Sequence, residues 1–229
     1  MKSPQYKMLL WYIAGLLMMG ISAYGVSLLF DVVPHLADLH WLVRLIPALV
    51  FMLGAVAAHL LSRKRVKWAY VLSYFLNAIG SGWIIGVVIG VKEILLTQEL
   101  FLSLLPAMFL GILYCCLIGN VSTNRASTIT GVFVALSVVL LLGGIAVWIW
   151  VYSLTGCVFL FSALFLLPFP IGANIALDTP DDTYRYLSFT GFGAFLLISF
   201  VALIILSEGE GLDGIDLDLG GGGGKKRKK

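Results

Sequence analysis

The sequence predicts an all-α integral membrane protein, a polytopic bundle of about seven transmembrane helices. Of its 229 residues, 60% are hydrophobic and only 12% charged, about half the charged share of an ordinary globular domain. The mean hydropathy is +1.02. The acidic residues are also confined: every Asp and Glu lies within positions 31–38, 93–99 or 178–182, or beyond Leu206. The apolar runs between these clusters approach the roughly 20 residues that a helix needs to cross the hydrocarbon core.

Seven such runs are read: 8–30, 41–61, 68–91, 100–119, 128–152, 154–176 and 187–206. The first resembles a signal peptide, with Lys2 and Lys7 ahead of an apolar core, but it is long and more spans follow it, so it is taken as a retained helix. Residues 1–206 then form one transmembrane domain, and 207–229 form an acidic, glycine-rich and finally basic tail. Tryptophan and tyrosine gather near the proposed ends, at Trp11, Tyr12, Trp41, Trp68, Tyr70, Trp148, Trp150, Tyr152, Tyr184 and Tyr186, as at membrane interfaces. Trp83 falls in mid-span, so its indole N–H requires a partner inside the bundle.

Orientation follows from the basic residues of short loops, which favour the cytoplasm. Arg63, Lys64, Arg65 and Lys67 fix the loop after the second span, and threading from it puts Lys2, Lys7, Arg125 and Arg185 on the same side, with Arg44 and Lys92 opposite. The N-terminus is therefore expected in the cytoplasm and, with seven crossings, the C-terminus outside. The alternative is six crossings plus a re-entrant hairpin in the sixth segment, where Pro168 and Pro170 interrupt "FLLPFPIGAN". Short loops and a short N-terminus point to a bacterial cytoplasmic membrane.

No Asp, Glu or Lys sits in the middle of a proposed span, which argues against a proton pump or ion-coupled transporter. The last span contains no lysine for a retinal Schiff base. His-Glu-x-x-His, Gly-x-Ser-x-Gly and Gly-x-x-x-x-Gly-Lys motifs are absent from the sequence. Cys115, Cys116 and Cys157 all lie in apolar runs and form no CxxC pattern. The Asn120-Val121-Ser122 sequon falls on the expected cytoplasmic side and is read as chance.

The third span is the most patterned. Ala78, Gly82, Gly86 and Gly90 recur every four residues, a row of small residues that lets two helices approach closely in lipid. Beside it Ser73, Asn77 and Ser81 form a second row at the same spacing. These three read either as interhelical hydrogen bonds alongside the seam or as one wall of a narrow polar path.

Asp31, His35 and Asp38 are spaced i, i+4, i+7 with His40 close behind, so one helical face would offer carboxylate and imidazole ligands to zinc or manganese. An interfacial amphipathic helix with these residues as its wet side is the competing reading, and no other cofactor is implied. "LDTPDDTYRYL" reads as a helix start, with Thr179 as N-cap, Pro180 at the first position and Asp181 and Asp182 against the helix dipole. This acidic loop is expected on the same face as the basic Arg63–Lys67 loop. In the tail, Lys225, Lys226, Arg227, Lys228 and Lys229 suit an anionic surface, nucleic acid being the least favoured such partner.

Two functions from different classes fit these residues. The first is a scaffold or accessory subunit whose glycine seam packs against another membrane protein or a second copy, with the tail recruiting a partner. The second is a passive channel or facilitator for a small neutral or apolar solute, lined by Ser73, Asn77 and Ser81. A lipid-acting membrane enzyme stands third.

Overall fold

A computed structural model describes residues 4–62, 67–92, 97–119, 123–151, 160, 162–163, 167–178 and 180–207. Every regular element among them is helical, and no strand occurs. In chain order these are α1 (Pro4–Val32), α2 (Pro34–Ala37), α3 (Trp41–Arg44), α4 (Ile46–Leu61), α5 (Lys67–Lys92), α6 (Thr97–Ile118), α7 (Thr123–Val151), α8 (Pro168–Asp178), a 3-10 turn (Pro180–Asp182) and α9 (Thr183–Ser207).

Five helical stretches are long and apolar enough to cross a membrane: Tyr6–Val32, Trp41–Leu61, Lys67–Gly90, Arg125–Val147 and Thr183–Ile204. Two of the seven expected spans fall short of that test. The fourth is continuously apolar over Leu104–Ile118, with Pro106 inside its helix. Much of the sixth lies outside the described residues, and its described end is the short helix α8.

The bundle is organised around α5, which packs against α1, α4 and α9. In its membrane-length window 67% of α5 is buried, against 17% for α4. The difference follows from residue size. α5 carries Ser73, Asn77, Ala78, Gly80, Ser81, Gly82 and Gly86 on several faces, so neighbours approach it from several directions. α4 turns Ala48, Ala55 and Ala58 inward and Leu49, Val50, Leu53, Leu60 and Leu61 outward. Small residues inside and large apolar ones outside invert the pattern of a soluble helix, as expected where the surroundings are lipid.

Helix directions follow from paired contacts. Along α1 and α5, Tyr12 meets Tyr74, and Met19, Val26 and Phe30 meet Gly82, Gly86 and Gly90 in turn, so the two run parallel. α4 runs against α5, pairing His59 with Tyr70 and Phe51 with Trp83. α9 is parallel to α5, with Ser188 at Ser73, Gly191 at Asn77 and Phe195 at Gly80. α6 returns beside α1, with Gly111 at Tyr12 and Gly119 at Tyr6. α8 runs against α9, bringing Pro168 to Gly193 and Gly172 to Thr190.

Trp83, the mid-span indole, donates to the carbonyl oxygen of Arg44 at 2.8 Å. That carbonyl ends α3, beside the junction where Pro47 has no N–H to continue the helical ladder. The expected helix start at Thr179 differs in detail: Pro180, Asp181 and Asp182 form a 3-10 turn and α9 begins at Thr183, while Thr179 lies outside the described residues. Proline at the first position fits either kind of turn, and the tighter one carries the chain from α8 into α9.

Candidate functional site

Ser73, Asn77 and Ser81 are all buried in the bundle, on the side of α5 that meets α9. Gly191 permits the close approach: a Cβ there would stand 2.9 Å from Tyr74 Cδ2 and 3.4 Å from Asn77 Cβ. The approach brings Ser188 of α9 into the strip, where its hydroxyl donates to Ser73 Oγ at 2.9 Å. His59 Nδ1 lies 2.9 Å from the same Ser188 oxygen. With the serine proton directed to Ser73, a neutral His59 completes the chain by carrying its proton on Nδ1 and donating it to Ser188.

The strip continues inward. Asn77 Nδ2 donates to the Ser73 carbonyl oxygen at 3.1 Å, one helical turn back. Its Oδ1 has no hydrogen-bond partner, and neither does Ser81 Oγ a further turn along. A cavity of about 30 Å³ adjoins Ser81 and is lined also by Tyr12, Tyr74, Ala78, Thr190 and Gly191. That is enough room for one water molecule. Tyr12, which lines the cavity, likewise has its Oη buried without a partner. Buried polar atoms without partners are uncommon in native structures, and two of them belong to residues that line this one cavity.

At the other end the line opens to a cleft of about 520 Å³, bounded by His59, Tyr70, Arg185 and Phe189. The His59 ring is held between Tyr70, Phe189 and Phe192, with centroids 5.2, 5.0 and 5.8 Å away. The geometry is therefore a cleft at one end of the bundle, a relay His59–Ser188–Ser73, then Asn77 and, one turn on, Ser81 lining an interior cavity. Every member is an uncharged polar group apart from Arg185 at the mouth and the titratable His59. The chain matches no protein-family model, no curated protein and no solved structure.

The glycine row lies against α1 of the same chain. A Cβ at Gly82 would sit 2.3 Å from the Met19 carbonyl oxygen, at Gly86 2.7 Å from Val26 Cβ, and at Gly90 2.9 Å from Phe30 Cδ2. Ala78 is buried at the start of the row and lines the small cavity.

The four residues read as metal ligands are divided by the backbone. Asp31 belongs to the last turn of α1, Val33 leaves the helix with φ −124° and ψ 78°, and His35 starts again on the four-residue α2. Asp38 caps α2, while the His40 side chain accepts from Leu42 N at 3.3 Å and begins α3. The i, i+4, i+7 face therefore does not form, because Pro34 interrupts the helix it needs. Among the described residues, no group of three or more His, Cys, Asp or Glu could hold a metal ion.

The basic loop residues Arg63, Lys64 and Arg65, and the tail residues Lys225, Lys226, Arg227, Lys228 and Lys229, lie outside the described residues. Lys67, Asp181 and Asp182 are described and exposed.

Ser188, Thr190 and Tyr12 are the members of the site that the sequence reading missed. The available signal was the row Ser188, Gly191 and Ala202 at helical spacings on one side of α9, masked by the large Phe195 in the same row. Another polar cluster was missed as well. Tyr114 Oη lies 2.8 Å from Thr130 Oγ1 and donates to the Pro170 carbonyl oxygen at 3.0 Å, tying α6, α7 and α8 together.

Proposed function

We propose that this protein is a passive facilitator for a small, uncharged, hydrogen-bonding solute, which enters at the His59 cleft and follows the strip between α5 and α9. The observation that carries this reading is that Ser81 and Tyr12, whose Oγ and Oη are buried without partners, both line a water-sized cavity, with the equally unpartnered Asn77 Oδ1 one helical turn before Ser81 on α5. An unsatisfied polar atom in an apolar interior costs on the order of 1–3 kcal/mol, and a solute or water in the strip would remove that cost. The interior groups are neutral, so they offer a solute hydrogen bonds without coupling it to an ion gradient.

Seven crossings, with a cytoplasmic N-terminus in a bacterial inner membrane, are part of the same proposal. Support comes from the alternation of helix directions through α1, α4, α5, α6 and then α8 and α9, and from the charges. Lys7, Lys67, Arg125 and Arg185 belong to helix ends on the side of the His59 cleft, while Arg44 sits over the Phe30 ring near the far end. The scaffold reading relied on the glycine seam meeting a partner, and α1 already covers that seam.

The test is stopped-flow swelling of proteoliposomes with water and a graded set of small neutral polyols and amides. Wild-type protein should raise permeability for at least one of them above protein-free liposomes, and Asn77→Leu should abolish the increase while leaving thermal unfolding cooperative. A wild type no more permeable than empty liposomes, or an unchanged Asn77→Leu variant, overturns the proposal.

A further inference from the structure

We propose that the cleft between α4, α5 and α9 binds the phosphate group of an anionic phosphodiester headgroup. The inference starts from the position of its walls. His59 lies in the last turn of α4, Tyr70 in the first turn of α5 and Arg185 in the first turn of α9, so three helix ends meet at one level. Trp68, exposed beside Tyr70, marks that level as the headgroup zone.

The donors are pre-positioned. Arg185 is exposed and holds its guanidinium carbon 5.8 Å from the centre of the Phe189 ring. Phe189 in turn packs on His59, whose orientation is fixed by the bond between Nδ1 and Ser188. A guanidinium held over an aromatic ring still has N–H donors for a ligand, and its N–H fork matches two oxygens of a phosphate. The Tyr70 hydroxyl and the His59 ring on the opposing walls complete a mixed set of charged and neutral groups.

The charge balance narrows the ligand class. Among the described residues that line the cleft, Arg185 is the one permanent cation, and Asp181 and Asp182 stand exposed on the 3-10 turn before it. A singly charged phosphodiester is balanced by one guanidinium, whereas a polyphosphate would be repelled by the two carboxylates. The volume of about 520 Å³ falls within the range of small-ligand sites. Exposed Phe189, Leu60 and Leu61 border the cleft or its helix end, and would lie along the acyl chains of a lipid that placed its headgroup there. The cleft is the same one through which the facilitator would take its solute, but headgroup binding is read without solute flux, so its test and that of the facilitator fail separately.

Native mass spectrometry of the full-length protein in neutral detergent tests it, with phosphatidylglycerol and phosphatidylcholine offered in competition. The wild type should retain phosphatidylglycerol preferentially. Arg185→Gln should weaken that retention about tenfold, as loss of a charge-assisted pair implies, and Arg185→Lys should restore part of it. Arg125→Gln, at an exposed position on α7, should change nothing. Inorganic phosphate at millimolar concentration separates the sources: failure to displace phosphatidylglycerol assigns the site to lipid, and displacement abolished by Arg185→Gln assigns it to the phosphate group itself. No preference for phosphatidylglycerol together with no phosphate binding, or equal losses in Arg125→Gln and Arg185→Gln, overturns the proposal.

Discussion

The Trp83 indole donates its N–H to the Arg44 carbonyl oxygen at 2.8 Å, joining the middle of α5 to the break between α3 and α4. A tryptophan in mid-span needs an acceptor, and the carbonyl at the end of α3 supplies one, since carbonyls in a helix's last turn have no acceptor duty within it. Trp83→Phe keeps most of the ring volume and removes the donor. Polar contacts between membrane helices average about 0.6 kcal/mol and reach about 1.7 kcal/mol, so the variant should lower the Tm in detergent by a few degrees. An unchanged Tm would mean that the Arg44 carbonyl finds an equal partner without it.

The glycines of the chain divide into two groups, and substitution should separate them. Gly82→Ala drives a methyl group to 2.3 Å from the Met19 carbonyl oxygen, a backbone atom that cannot rotate away. Overpacking of this kind costs about 1–3 kcal/mol. Gly131 has nothing within 4 Å of the same position, so Gly131→Ala should leave stability unchanged or raise it by up to about 1 kcal/mol through helix propensity. Thermal unfolding of the two variants side by side gives the answer, and equal effects would remove the seam as the cause.

The coupling between Ser73 and Ser188 is measurable as a double-mutant cycle. Ser188→Ala removes the donor to Ser73 and the partner of His59 Nδ1 at once, while Ser73→Ala removes only the acceptor. The double variant should be less destabilised than the sum of the singles, with a coupling of about 0.6–1.7 kcal/mol measured by reversible unfolding in mixed micelles. Strict additivity would show that the serines are neighbours without a shared bond.

The all-helical class and the apolar helices were legible in the sequence because composition records long apolar runs directly, and five helices are long and apolar enough to cross a membrane. The row of Gly82, Gly86 and Gly90 was legible too, since a glycine inside a helix is tolerated best where another helix lies close. What covers the row was not legible: Met19, Val26 and Phe30 are ordinary apolar residues whose spacing would suit any neighbour. The strip of Ser73, Asn77 and Ser81 could be read, whereas Ser188 could not, because a serine gains its role from a contact 115 residues away. The single helical face read for Asp31, His35 and Asp38 assumed a continuous helix through Pro34. Proline breaks that helix, and the chain leaves it at Val33.

Tyr114 ties three helices through one hydroxyl, and its loss should be felt at a distance. While Tyr114 donates to Pro170, the Thr130 hydroxyl donates to Tyr114 Oη; in Tyr114→Phe it turns to the Ala126 carbonyl oxygen, 2.9 Å away, so the unmatched group is the Pro170 carbonyl oxygen of α8. The expected result is a loss of about 1 kcal/mol, with increased protease sensitivity near α8 and little change near the α1–α5 seam. Limited proteolysis with mass mapping distinguishes this local loosening from a global one.

The direction of α9 makes a last prediction about the tail. α9 is parallel to α1, because both are parallel to α5, so Ser207 and Pro4 belong to opposite ends of the bundle. If the bundle spans the membrane, residues beyond Ser207 emerge on the side away from the N-terminus, despite the basic run from Lys225 to Lys229. That run begins well past the last helix, where the preference of basic residues for the cytoplasm weakens, and Glu208, Glu210, Asp213, Asp216 and Asp218 come first. A single cysteine at Gly222, with Cys115, Cys116 and Cys157 replaced by alanine, should react with an impermeant thiol reagent in intact cells. Protection that disappears on permeabilisation would place both termini on one side. The segment ending in α8 would then have to turn back within the membrane, and α9 would have to run against α1 in the bilayer. That second requirement conflicts with the matched series Tyr12–Tyr74, Met19–Gly82 and Ser188–Ser73, so the labelling result tests the helix packing as directly as it tests the topology.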